Sequence, residues 1–149
     1  MISGLPSTVR SLPMALIRAR EGVMSPIREM LAETGITEQQ WRVLRVLDEF
    51  GAMDTKTLAG RAGLLLPSLT RIIATLRKKG LLTQTRDTAD RRRQMIAITA
   101  NGARVIADRA AQAAQIADGF KARLGASDYE RLLDLLEKLD PETSKEEDV

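Results

Sequence analysis

The chain contains no cysteine and no histidine. The first absence excludes disulfides, thiol redox sensing and cysteine-ligated metal sites. The second removes the usual general base and the commonest metal ligand. An enzyme built from this sequence would depend on carboxylates, lysines, hydroxyls or the single tyrosine. That tyrosine, Tyr129, falls in an expected capping turn, and no convergent acid pair or phosphate-cradling glycine loop accompanies it. A non-enzyme without cofactor or metal is therefore expected. Aromatic residues make up only 3% against 44% hydrophobic residues, so the core has to be aliphatic. No apolar run approaches the roughly 18 residues that span a bilayer. The first ten residues lack the basic and long apolar segments of a signal peptide. A cytoplasmic protein without membrane association is expected.

Against these absences stands an uneven distribution of charge. The net charge is +3, yet residues 54–93 carry ten Lys/Arg against three acids, while the remainder holds thirteen bases against seventeen acids. A localised positive segment suits phosphate binding, although a solvated charged face has the same composition.

Apolar spacing by three and four from Leu12 to Ala32 predicts a first helix, which Pro26 should bend or split. Thr37-Glu38-Gln39-Gln40 is a capping box opening a second helix to about Phe50, with Trp41, Val43, Leu44, Val46, Leu47 and Phe50 facing inward. Asp54 caps a short third helix over Thr55–Ala62, broken by Gly63. Pro67 suits the first turn of a fourth helix ending at Lys79–Gly80. Two strand-like runs, Leu81–Arg86 and Gln94–Ile98, flank a polar loop and predict a hairpin. Thr99 caps a long, alanine-rich fifth helix to about Leu124. A second capping box, Ser127-Asp128-Tyr129-Glu130, opens a leucine-rich sixth helix that Pro141 ends, and the acidic tail Glu142–Val149 is expected to fray.

This order predicts a mainly α fold with a small β-hairpin wing, a winged helix-turn-helix. In the fourth helix Leu69, Ile72, Ile73 and Leu76 follow an i, i+3, i+4, i+7 pattern and bury one face. The other face presents Ser68, Thr70, Arg71, Thr75, Arg77 and Lys78 behind Pro67. Hydroxyls near the helix start can approach base edges, while the cations reach guanine edges or phosphates. An ordinary amphipathic surface helix shares that periodicity; the helix-turn before it and the hairpin after it separate the two readings. Arg91, Arg92 and Arg93 at the hairpin tip repel one another unless a polyanion is present, and an arginine there fits the narrow minor groove. Asp90 can orient a neighbouring arginine.

Asp90-Arg91-Arg92-Arg93-Gln94-Met95-Ile96-Ala97-Ile98-Thr99 resembles the wing signature of MarR-type regulators (Asp, any residue, Arg, five residues, Leu-Thr), with Ile98 in place of the usual leucine. Ser68-Leu69-Thr70-Arg71, with Leu76 and Lys79-Gly80-Leu81, resembles the family's recognition helix and its exit, and Thr99 with Gly102 matches the start of its dimerisation helix. The resemblance spans roughly residues 12–140. It implies a helical dimerisation region at 1–36 and 100–149 and a DNA-binding region at 37–99, together one intertwined domain. It also implies a homodimer on double-stranded DNA, with two recognition helices in successive major grooves of a pseudo-palindromic operator. The fifth and sixth helices independently carry more apolar surface than one small domain covers.

Within the family, Ala19-Arg20-Glu21 with Met24, Thr37–Arg45 and Leu66–Thr70 are most similar to regulators of homoprotocatechuate (4-hydroxyphenylacetate) degradation operons. The resemblance implies a repressor released by a small aromatic acid, with Arg18 and Arg20 pairing with its carboxylate, Trp41 stacking on its ring and Met24 a further effector-binding residue. Trp41 also suits a plain core position, and Arg18 and Arg20 suit plain surface charges. A winged-helix protein-interaction module and a ligand-independent DNA-binding protein are the alternatives; the retained basic recognition face and wing arginines weigh against the first.

Overall fold

A computed structural model describes residues 4–142. In chain order its elements are α1 (Leu12–Leu31), α2 (Glu38–Phe50), β1 (Met53–Asp54), α3 (Thr55–Ala62), α4 (Leu66–Lys78), β2 (Leu82–Arg86), β3 (Gln94–Ile98), α5 (Ala100–Leu124) and α6 (Ala126–Glu137). The expected winged helix-turn-helix is present, flanked by long helices. The hairpin gains a third strand: the sheet order is β1-β3-β2, all antiparallel, with Met53 opposite Ile96 and Asp54 opposite Met95.

Three of the predicted caps form. Thr37 accepts from the Gln40 amide while its own amide donates to Gln40 Oε1, each at 3.1 Å. Asp54 accepts from the Thr57 amide at 2.8 Å, and Thr99 from the Gly102 amide at 3.1 Å. The predicted box at Ser127 does not form. α6 starts at Ala126, directly behind Gly125 at φ +86°, because the chain reverses on that single residue and leaves no separate turn for Ser127 to cap. α1 runs unbroken through Pro26. The carbonyl that loses its helical partner there belongs to Gly22, an exposed residue whose oxygen water can satisfy.

The core lies where α2, α3, α4 and the sheet converge. Val43, Leu44, Leu47, Leu58, Leu69, Leu76, Leu82 and Ile96 are almost wholly buried, and burying each large one stabilises the fold by about 1.5–3 kcal/mol. Phe50 does not join them. It sits exposed in the last turn of α2, with the Arg61 guanidinium 4.4 Å from its ring centre. α1 and α2 pack on α5, joining the outer helices to the winged unit. No described side chain of α6 is fully buried, and Leu132, Leu133, Leu135 and Leu136 along it, with Leu139 just beyond it, remain open. No described helix is long and apolar enough to cross a membrane. Apart from Glu142, the tail expected to fray lies outside the described residues.

Candidate nucleic-acid interface and ligand cavity

α4 is held by burial of Leu69, Ile72, Ile73 and Leu76, and this fixes which side chains face outward. Pro67, Thr70, Arg71, Thr75, Arg77 and Lys78 are exposed and Ser68 is half-buried. No side chain caps the amino end of α4, so its first-turn amides remain open to an anion. Thr70 Oγ1 donates to the Leu66 carbonyl at 3.0 Å, and Thr75 Oγ1 to the Arg71 carbonyl at 3.1 Å. Both hydroxyl protons are thus engaged, leaving oxygens suited to accept from a base amino group. Arg77 leans toward the sheet and donates to Gln84 Oε1 at 3.2 Å.

Arg42, to which the sequence reading gave no role of its own, ties α2 to the turn that precedes this helix. From α2 it makes two 2.9 Å bonds to Glu38 and donates Nη1 to the carbonyls of Ala62 (2.9 Å) and Gly63 (3.3 Å) at the end of α3. Those carbonyls have lost their helical donors, and Gly63 turns the chain at φ +62° into the approach to α4. The i, i+4 spacing of Glu38 and Arg42 was the available signal.

The wing separates its arginines. Asp90 Oδ1 accepts from the Arg92 amide (3.1 Å) and Nε (3.2 Å), orienting a side chain that is 93% exposed. Arg91 is also exposed. Arg93 differs from its two neighbours, with which the sequence reading grouped it as a DNA contact. Its guanidinium folds back, Nη2 donating to Asp54 Oδ2 at 2.6 Å and Nη1 lying 3.7 Å from Asp87. The Thr57 amide first, and then Arg93, hold the Asp54 carboxyl below the ordinary carboxylate range, and the Arg93 guanidinium is correspondingly raised.

A cavity of about 230 Å³ opens between α2 and α5, lined by Trp41, Arg45, Ile106 and the alanines at 110, 113, 114 and 117. Trp41 is both a core residue, only 7% exposed, and a wall of this cavity. The recess is partly open to solvent, and its volume exceeds the roughly 150 Å³ of an enclosed cavity that admits benzene. Arg45, one helical turn beyond Trp41, was missed as a ligand group, although i, i+4 spacing on α2 puts the two on one face. Arg18, Arg20 and Met24 do not line this cavity. Arg18 instead donates to the carbonyls of Thr8 (3.3 Å) and Val9 (3.2 Å), Arg20 points to solvent, and Met24 is half-buried on α1. All three precede the buried end of α1, Met30 and Leu31, where that helix joins the core. A larger recess of about 510 Å³ lies between Thr34–Ile36, the end of α4 and Arg109. It is open to solvent, and its Lys79 is engaged with the Gly35 carbonyl at 2.6 Å.

The MarR family model matches residues 36–93. The chain is 36% identical to the HTH-type transcriptional regulator FarR of Neisseria gonorrhoeae, over 87% of this chain and 88% of that protein. It is 34% identical to the homoprotocatechuate degradative operon repressor of Escherichia coli, over 93% and 95% respectively. Among solved structures, NadR in complex with 4-hydroxyphenylacetate superposes with a TM-score of 0.80 at 35% identity, covering 92% of this chain and 97% of that one. The transcriptional repressor CouR bound to a 23-mer DNA duplex superposes at 0.75 with 27% identity, covering 92% and 99%.

Proposed function

The chain belongs to the MarR family of dimeric transcription regulators, and from that premise we propose that it represses an aromatic-compound catabolic operon and leaves its palindromic operator when a small aromatic acid binds. In this reading α4 enters the major groove, with Ser68, Thr70 and Arg71 at the base edges and Pro67, Thr75, Arg77 and Lys78 along the backbone. Arg91 and Arg92, the latter oriented by Asp90, reach the adjacent minor groove. Residues 37–99 form the DNA-binding region, and residues 1–36 with 100–149 the dimerisation region of one intertwined, cytoplasmic protein. The curated relatives are regulators and not enzymes, in keeping with a binding role.

The observation that carries the effector half is the pairing of Trp41 and Arg45 in one alanine-lined cavity. A flat indole and a guanidinium one turn apart present the two groups that an arylacetic or phenolic acid needs, a ring wall and a carboxylate fork. α2 belongs to the DNA-binding region and α5 to the dimerisation region, so a ligand wedged between them tilts one against the other. That tilt changes the separation of the two recognition helices, which the operator requires to be fixed. Support comes also from the relatives: one represses a homoprotocatechuate degradative operon and another was solved with 4-hydroxyphenylacetate.

The test is a promoter gel shift titrated with a panel of phenolic and arylacetic acids. Release by at least one acid is expected, with Arg45→Ala requiring about tenfold more of it, the loss of one charge-assisted hydrogen bond. Failure of every acid to release DNA would remove the aromatic-effector reading and leave DNA binding standing.

A further inference from the structure

Asp54 divides its carboxylate between two elements. Oδ1 accepts from the Thr57 amide at 2.8 Å and so caps α3, while Oδ2 accepts from Arg93 Nη2 at 2.6 Å across 39 residues of sequence. The same guanidinium faces Asp87 with its other terminal nitrogen at 3.7 Å. Asp87 and Arg93 are the two ends of the wing loop, closed by the Asp87 amide donating to the Arg93 carbonyl at 3.0 Å. The register explains the convergence: Asp54 stands opposite Met95 of β3, and Arg93 lies two residues before Met95, immediately ahead of that strand. We propose that Arg93 is a positioning residue and not a DNA contact: with Asp54 and Asp87 it clamps the base of the wing to the amino end of α3, so that Arg91 and Arg92 stand at a fixed offset from α4.

Charge argues for this assignment. The three groups together carry a net negative charge in the most basic stretch of the chain, where unpaired carboxylates would repel phosphate. Arg93 Nη2 is engaged by Asp54 at 2.6 Å and Nη1 faces Asp87 at 3.7 Å, so a phosphate approaching this half-exposed guanidinium competes with two protein carboxylates. Arg92, by contrast, shares a single ion pair through Nε and keeps its fork in solvent. Asp54 and Arg93 are both ionised throughout the neutral range, and the lowered carboxyl and raised guanidinium widen that range on either side.

The inference rests on the wing's contact with DNA, and its test has one arm that does not. Asp54→Asn keeps an amide-capping oxygen and removes the charge. Electrostatics alone predicts that Asp54→Asn binds the operator more tightly, whereas the clamp predicts a loss of about tenfold. Arg93→Gln should show a similar loss with an unchanged slope of log affinity against log salt, and the double variant should be no worse than either single one. Arg92→Gln, as the reference contact, should flatten that slope by about 0.9. Without DNA, amide exchange at Asp87 and Arg93 should quicken in both clamp variants. Tighter or unchanged operator binding by Asp54→Asn, a flattened slope for Arg93→Gln, or unchanged exchange would each overturn the clamp. Faster exchange with no operator binding even by the parent protein would instead sink the DNA reading and leave the clamp in place.

Discussion

At Gly102 a single missing methyl decides how two parts of the chain meet. A Cβ there would stand 2.1 Å from the Leu81 carbonyl oxygen and 2.7 Å from Ile98 Cγ1. The carbonyl cannot retreat, because it accepts from the Thr99 amide at 3.1 Å and so ties the start of β2 to the cap of α5. Gly102→Ala is therefore expected to destabilise the protein by about 3 kcal/mol or more, against the roughly 1 kcal/mol that alanine normally gains over glycine in a helix. A denaturant midpoint equal to or above that of the parent would show that the two segments can move apart. Legibility at this scale follows distance along the chain. The pairing of Asp90 with Arg92 was readable because the residues are neighbours, and so was the Thr37–Gln40 box. The partners of Arg93 were not, since nothing local marks a carboxylate 39 positions upstream; strand register brings them together.

Among the elements, the proposed division of recognition between α4 and the wing gives separable outcomes. Arg71 stands on the exposed face of a helix near its start, a placement suited to a guanine edge; Arg92 stands on a loop, a placement suited to groove width and potential. Arg71→Ala should cost about 1–3 kcal/mol on the operator and far less on random DNA, while Arg92→Ala should weaken both more evenly. Competition gel shifts with specific and random duplexes distinguish them, and equal losses for Arg71→Ala on both would make it a backbone contact. Helix identities were readable from the 3.6-residue period and from caps whose partners lie within four positions. β1 was not, because two residues carry no period. The start of α6 was misplaced for a related reason: a capping box is a local pattern, and the reversal at Gly125 pre-empted it. Phe50 lies outside the core, against Arg61 of the short α3, a contact between elements that periodicity does not record.

Over the whole molecule, the apolar surface left open within one protomer is concentrated on the outer helices. Leu12, Leu16, Ile17 and Val23 of α1 and the leucines of α6 are all exposed, Ile17 by 70% and Leu136 by 38%. Covering such side chains against a second copy contributes about 25 cal/mol for each Å² removed from water, which makes a two-fold dimer the natural resting state of this surface. Dimerisation matters to recognition because one recognition helix reads only a half-site; linking two converts the second contact into an intramolecular one. Leu132 and Leu136 are one turn apart on α6, and replacing both by glutamate puts two charges on the face to be covered. Since no α6 side chain is fully buried within its own protomer, the double variant should keep its α-helical circular dichroism while sedimenting as a monomer. Its affinity for a single half-site should be unchanged, and its affinity for the full operator should fall by about a hundredfold or more toward that half-site value. A variant that still sediments as a dimer would place the interface elsewhere. A monomer that binds the full operator as tightly as the parent would show that each protomer reads DNA alone.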